Sequence, residues 1–434
     1  MSIVRVAPAS VLRGIVRVPP DKSITHRALL LGALSDRAVA VARPLDSEDT
    51  AATLHVVEAL RVNVRGRLGE LVHVEGRGLR GMAVPPALDC ANAGTLMRLL
   101  TGILVGQQGE HTLLDGDDSL RRRPMRRVAR PLRAMGAAVW TAPEGTPPLV
   151  VSGGRPLRGI EHRLEVASAQ VKSCLLLAGL YAEGETWVRE PAPSRDHTER
   201  MLQAAGVPLL RADGAIGVSG PVDGLSLPDL EVPGDFSSAA FHLVAGALRA
   251  DPEVRLQGVN LNPRRTGLLD VLARMGAPIE VIEGAPLAGE PAGEVVVRRA
   301  GMLQATEVAP EEVPSLIDEL PLVGLLGAFA AGTTVVRGAA ELRVKESDRI
   351  AAVVAALRAL GAKAEEREDG FAVTGSPRLL GGRVEAGGDH RLAMLGAIAG
   401  LASVDGATVE GFEAAAVSYP GFGADLGALG AAIG

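Results

Sequence analysis

The sequence predicts an α/β protein of two domains, each built from three copies of one unit of roughly βαβαββ type, with helices packed inside and sheets outside. Three observations predict this. The first is size: 434 residues, 47% of them apolar, exceed a usual domain of roughly 100–200 residues and supply enough apolar surface for two cores. The second is a repeat, in which a polar turn, an apolar helix centred on glycine, a break and a β-branched strand recur with Gly32, Gly102, Gly179, Gly246, Gly327 and Gly396 at their centres. Their spacings are 70, 77, 67, 81 and 69 residues. The third is that segments such as Leu29 to Leu34 and Leu322 to Ala331 are apolar all round, the mark of a buried helix rather than of an amphipathic one.

Taken in order, the first unit opens with Asp21-Lys-Ser-Ile-Thr-His-Arg27 and the fourth with Asp235-Phe-Ser-Ser238, while the sixth, Asp389-His-Arg391, repeats the His26-Arg27 pair. Each helix is followed by a strand: 38–41, 112–114, 186–188, 254–256, 333–336 and 407–409. A second helix then ends in a small-residue stop before further strands, as in Met135-Gly-Ala-Ala-Val139 or Leu360-Gly-Ala-Lys-Ala364. In the sixth unit the segment from Tyr419 to Ile433 ends the chain.

Composition narrows the function. Ten aromatic residues (6 Phe, 2 Trp, 2 Tyr) leave few rings for stacking nucleic-acid bases, and 45 Lys+Arg against 51 Asp+Glu give a net charge of −6. Cys90 and Cys174 match no metal-ligand spacing and read as small core thiols in a reducing compartment. The eight histidines form no H-E-x-x-H, and Gly76-Arg-Gly-Leu-Arg-Gly81 precedes Met-Ala-Val-Pro-Pro, so it reads as a turn rather than a dinucleotide site. No phosphate-binding P-loop occurs. The first residues alternate like a strand and lack a signal-peptide layout, and no apolar run reaches the ~20 residues of a membrane span. A cytoplasmic monomer without nucleic-acid or membrane partners is expected.

Aligned buried helices bring their N-termini, with unpaired N–H groups and partial positive charge, to one face of a domain. The residues at those ends are Lys22, Ser23 and Arg27; Asn92, Gly94, Thr95 and Arg98; Ser168, Gln170 and Lys172; and Arg391. Cations, hydroxyls and amides focused there on an acidic chain predict a pocket for a small polyanion. Among the arginines of 121–133, Arg121 and Arg123 are expected at the ligand, and Arg126, Arg127, Arg130 and Arg133 on a solvated helix face.

Five segments, Asp21 to Arg27, Asn92 to Arg98, Ser168-Ala-Gln-Val-Lys172, Arg343-Val-Lys-Glu-Ser-Asp-Arg349 and Asp389 to Arg391, resemble in order those of the 5-enolpyruvylshikimate-3-phosphate synthase family of enolpyruvyl transferases. The resemblance implies two inside-out α/β barrels, residues 20–230 forming one domain and 1–19 plus 231–434 the other. It implies transfer of the enolpyruvyl group of phosphoenolpyruvate to the 5-hydroxyl of shikimate-3-phosphate, with no cofactor and no metal. By similarity, Lys22, Ser23, Arg27, Ser168, Gln170, Arg195, Asp318 and Lys345 hold shikimate-3-phosphate. Lys22, Gly94, Arg123, Gln170, Arg349 and Arg391 hold phosphoenolpyruvate, and Arg121 is a helper that the Arg121-Arg-Arg-Pro124 register leaves open. Two anions bound together need several fixed cations, and planar guanidinium groups suit carboxylate and phosphate.

Addition across an enol needs a base at the hydroxyl and an acid at the methylene carbon, and the later elimination needs the reverse proton transfer. The resemblance makes Asp318 the base, Glu346 the residue that exchanges the methyl proton, and Lys22 the acid toward the bridging oxygen. Helix capping is the competing explanation for Asp318 and Glu346. Room beside Gly94 implies inhibition by glyphosate. One departure is Val417-Ser-Tyr-Pro420, where some members carry a nearby lysine; Lys172 or Lys345 rebuilds that charge, or it is dispensable. Two alternatives stand: a UDP-N-acetylglucosamine enolpyruvyl transferase, although no Cys lies between 91 and 173, and a non-catalytic repeat protein that binds a phosphorylated ligand.

Overall fold

The computed structural model describes residues 2–9, 11–109, 111–376 and 378–434. Among the described residues are six small sheets, of which five have four strands in one shared connectivity and the sixth, Gly382–Glu385 beside Ala407–Glu410 and Ile3–Val6, has three. The second sheet shows the rule. Ala87–Asp89 lies parallel to His111–Asp115 across the crossover helix Gly94–Leu104, and His111–Asp115 then pairs antiparallel with Leu149–Ser152, which pairs antiparallel with Ala138–Thr141. The third and fifth sheets repeat it around the helices Ala169–Gly179 and Leu320–Ala328.

Three sheets are completed by strands distant in sequence. Leu230–Glu231 supplies the leading strand beside Ala38–Ala42, Leu12–Arg17 supplies the one beside Ala250–Asn260, and Ile3–Val6 pairs antiparallel with Ala407–Glu410. The chain falls into two compact units. One is Pro20–Val232 with Leu287–Glu290; the other is Met1–Pro19, Pro233–Pro286 and Pro291–Gly434. The short segment 287–290, assigned from sequence to the second domain, thus groups with the first. There Glu290 meets His197 Nδ1 at 2.7 Å with both side chains buried, and Arg200 reaches Glu290 at 3.5 Å.

Each unit has its own apolar core. The helices Phe236–Arg249, Leu320–Ala328 and His390–Ala402 are buried over nearly their whole length, whereas strands such as Leu71–Glu75 and His111–Asp115 alternate exposed and buried residues. Helices inside and sheets outside follow from that pattern. The central glycines make it possible. A Cβ on Gly246 would stand 2.4 Å from Val297 Cγ1 of the covering sheet, and one on Gly102 would stand 2.2 Å from the Cys174 carbonyl oxygen of the neighbouring helix. Only glycine allows such backbone approach.

Two expected helices are shorter than the apolar runs that suggested them. The one expected over 322–331 spans Leu320–Ala328, because the N–H of Ala331 bonds to the Leu303 carbonyl instead of continuing the helix. In the sixth unit the helix is Phe422–Ala428, and Ile433 bridges back to Val6. No described helix is long and apolar enough to cross a membrane.

Candidate active site

In the unit Pro20–Val232, the core helices begin at Lys22, Gly94 and Ala169. The first is capped by Asp21, whose Oδ1 accepts from the Ile24 N–H at 2.9 Å. That cap leaves Lys22 in the first turn, where its Nζ donates to Asp49 Oδ2 at 2.8 Å. Arg27, one turn on, is buried and donates to Thr198 Oγ1 at 2.7 Å, to Ser173 Oγ at 2.9 Å and to the Ser23 carbonyl at 2.9 Å. Burial lowers its pKa to about 10, with Glu199 and Asp21 opposing, so it stays charged at neutral pH.

A second group forms where the other two helices start. Gln170 accepts a hydrogen bond from Arg98 Nη1 and donates to Thr95 Oγ1 at 2.8 Å, linking the two helix ends. Arg123 donates to Asn92 Oδ1 at 2.7 Å and to Ser119 Oγ at 3.2 Å, and its Nη1 lies 3.0 Å from where a Cβ of Gly94 would stand. Gly94, Arg98, Arg123 and Gln170 are therefore neighbours. Arg121 is not among them: it turns to Asp115 with contacts of 3.0 and 2.6 Å and is half exposed. Arg126, Arg130 and Arg133 are exposed and Arg127 is half-buried, as a solvated face requires.

Ser168 caps the third helix by accepting from the Val171 N–H at 3.4 Å. Lys172, a candidate to replace the missing C-terminal lysine, is committed elsewhere. It is buried between Glu190 at 2.7 Å and Glu199 at 2.8 Å; burial disfavours its charge, but the two carboxylates outweigh that and raise its pKa. Arg195 is half-buried in the turn after Ser194. The hub role of Glu190 escaped the sequence, since its only signal is a carboxylate just before a proline-rich turn.

The other unit collects the carboxylates. Asp318 lies in the turn between the helices Val313–Leu316 and Leu320–Ala328, and three cations face it: Arg349 Nη1 at 3.5 Å, Arg391 Nη2 at 3.6 Å and Lys345 Nζ at 3.9 Å. Arg391 also donates to the Asp318 carbonyl at 3.0 Å. Glu346 receives Arg349 Nη2 at 2.5 Å. Neither carboxylate caps a helix: the cap of Arg349–Ala359 is Asp348, and the residue before Leu320–Ala328 is Glu319, which makes no side-chain cap bond. The capping explanation therefore loses its support.

Arg349 is the centre of this cluster. It is buried, and its Nε donates to Asp389 Oδ2 at 2.8 Å. Burial works against its charge, but Asp389, Glu346 and Asp318 together hold its pKa above the ordinary arginine value. Asp389 caps the helix His390–Ala402 through the Arg391 N–H at 2.9 Å. Burial alone would raise its pKa, yet Arg349 holds it below the usual carboxylate range. Behind Asp318 lies a set the sequence did not flag. Glu319 is fully buried and accepts from Ser237 Oγ, and Arg265 joins Ser237 at 3.2 Å and Asp235 at 2.6 Å. Cys90 and Cys174 are buried, and burial pushes the Cys174 thiol up to about 12 and that of Cys90 higher still, as inert core thiols require. Among the described residues no group of three or more His, Cys, Asp or Glu is arranged to hold a metal ion.

Comparison with known proteins agrees with this architecture. The profile of the EPSP synthase (3-phosphoshikimate 1-carboxyvinyltransferase) family matches residues 6–426. A protein of Halorhodospira halophila named 3-phosphoshikimate 1-carboxyvinyltransferase is 48% identical over 99% of this chain and 96% of its own length. One of the same name from Thermus thermophilus is 49% identical over 98% of each. The solved EPSP synthase of Acinetobacter baumannii superposes with a TM-score of 0.87 at 39% identity, covering both chains completely. With six small sheets, an arginine shared by two acids beside a third, and a match along nearly its whole length, the chain belongs to the EPSP synthase (3-phosphoshikimate 1-carboxyvinyltransferase) family.

Proposed function

We propose that this chain transfers the enolpyruvyl group of phosphoenolpyruvate to the 5-hydroxyl of shikimate-3-phosphate, giving 5-enolpyruvylshikimate-3-phosphate and inorganic phosphate. The observation that carries the reading is the cluster around Arg349: Asp318 and Glu346 have no capping duty and lie among cations suited to anionic substrates. In the first step the 5-hydroxyl loses its proton to Asp318, its oxygen bonds to C2 of phosphoenolpyruvate, and Glu346 in its protonated form delivers a proton to C3. In the second, Glu346 removes a proton from the new methyl group, the C–C double bond re-forms, and the C–O bond to phosphate breaks. Lys22 is the acid toward that bridging oxygen. Each carboxylate serves a different atom, Asp318 the 5-hydroxyl oxygen and Glu346 the carbon that becomes the methyl group.

Ser23, Arg27, Ser168, Gln170, Arg195 and Lys345 are assigned to shikimate-3-phosphate, and Gly94, Arg123, Gln170, Arg349 and Arg391 to phosphoenolpyruvate; Lys22 and Asp318 touch both the binding and the chemistry. The protein works as a cytoplasmic monomer, with glyphosate competing at the phosphoenolpyruvate positions. Phosphate release is the test. It is expected with phosphoenolpyruvate plus shikimate-3-phosphate and absent with UDP-N-acetylglucosamine as acceptor. Release only with the sugar nucleotide, or with neither acceptor, overturns the proposal.

A further inference from the structure

Glu190 makes more contacts to backbone and side chains around the proposed shikimate-3-phosphate residues than any capping role explains. Its Oε1 accepts from the Ser168 N–H at 3.1 Å and from Ser194 Oγ at 2.5 Å. Its Oε2 accepts from the Ser194 N–H at 3.3 Å and from Lys172 Nζ at 2.7 Å. Lys172 in turn donates to the Ser194 carbonyl at 3.3 Å and pairs with Glu199. The side chains of Glu190, Lys172 and Glu199 are 8%, 4% and 3% exposed, so these bonds form away from water and loss of one leaves its partner unsatisfied.

The consequence is geometric. Glu190 ties the start of the helix Ala169–Gly179, at Ser168, to the turn that carries Ser194 and Arg195, two segments otherwise separated by a strand. We propose that Glu190, braced by Lys172 and Glu199, is a positioning residue that sets Ser168 and Arg195 at the spacing needed to grip shikimate-3-phosphate. This rests on the function proposed above. Glu190 touches no reacting atom; it acts through the cap and the turn.

The test compares the parent with Glu190→Ala and with Glu190→Gln, which keeps an acceptor for the Ser168 N–H and Ser194 Oγ but removes the charge; Lys172 stays paired with Glu199 in both. Calorimetric titration with shikimate-3-phosphate and steady-state KM for each substrate are the readouts. Glu190→Ala is expected to bind shikimate-3-phosphate at least about tenfold more weakly, as loss of buried charge-assisted bonds predicts, and Glu190→Gln to recover most of that affinity. KM for phosphoenolpyruvate stays within about twofold, because none of the Glu190 contacts reaches Gly94 or Arg123. Equal loss of shikimate-3-phosphate affinity in Glu190→Gln and Glu190→Ala overturns the proposal, since the charge of Glu190 rather than the hydrogen bonds it accepts would then matter; an equal rise in both KM values does so too. A parent that fails to bind shikimate-3-phosphate overturns the functional reading and this role with it, whereas binding by the parent that the variants leave unchanged overturns this role alone.

Discussion

Gly94→Ala separates substrate recognition from folding. The new Cβ would lie 3.0 Å from Arg123 Nη1, 3.4 Å from Arg98 Nη1 and 3.6 Å from Leu120 Cδ1. The first distance is too short for comfort, yet it meets the end of a long side chain rather than backbone, so the guanidinium group moves by a few tenths of an ångström and the helix stays. Arg123 is nearly buried and held by Asn92 at 2.7 Å and Ser119 at 3.2 Å, so even a small shift weakens hydrogen bonds that aim it. A partial loss of one charge-assisted interaction, about 1–2 kcal/mol, raises KM for phosphoenolpyruvate about 5- to 30-fold. Stability moves by less than about 1 kcal/mol, because alanine improves helix propensity at the first position of Gly94–Leu104 while the contact costs a similar amount. Steady-state kinetics in both substrates, glyphosate inhibition and thermal melting provide the assay. KM for phosphoenolpyruvate and glyphosate inhibition that both match the parent would refute the placement of phosphoenolpyruvate beside Gly94; a melting temperature many degrees lower would refute the claim that only side-chain ends are in the way.

Three further outcomes are expected. Glu346→Gln keeps an acceptor for Arg349 Nη2 but removes the base, so kcat drops about 10²- to 10⁴-fold with KM little changed, and solvent hydrogen ceases to exchange into the methyl position; a drop under fivefold excludes proton transfer by Glu346. Gly102→Ala drives a Cβ to 2.2 Å from the Cys174 carbonyl oxygen, a backbone clash costing about 1–3 kcal/mol, and lowers Tm by several degrees, whereas Gly301→Ala, with open space around it, leaves Tm unchanged. His26 and His242 are fully buried, and burial lowers each pKa to about 3. Below the unfolded value of about 6.5 the unfolded chain therefore binds protons that the folded chain does not, and stability falls as pH drops from 6.5 toward 3, by roughly 2 kcal/mol per histidine at pH 5. Urea midpoints measured from pH 7.5 to 5 should fall less steeply for His242→Gln; an identical slope contradicts a neutral, buried His242.

The repeat, the alternation of helix and strand, and the family segments were legible because they are local. A glycine in the middle of an apolar run records a close helix contact wherever the helix ends up, and a β-branched run such as Thr333-Thr-Val-Val336 reads as strand without knowledge of its partners. Asp318 and Glu346 came from resemblance, and no spacing rule could have told a base from a helix cap. The structure answers only the second half: Asp348, not Glu346, accepts the cap hydrogen bond.

What the chain by itself determined is the unit: which segments are rods, which are ribbons, and which charged residues stand at rod ends. What only the tertiary structure decided is closure and commitment. Leu230–Glu231 and Ile3–Val6 complete sheets far from them in sequence, the segment 287–290 joins the other unit through Glu290 and His197, Arg121 turns away to Asp115, and Lys172 is taken up by Glu190 and Glu199. The physical reason is range. Apolar periodicity and turn chemistry act over a few residues and are written where they act. The partner of a buried charge or an open strand edge is whatever surface folding brings beside it, and the residues flanking it carry no record of that choice.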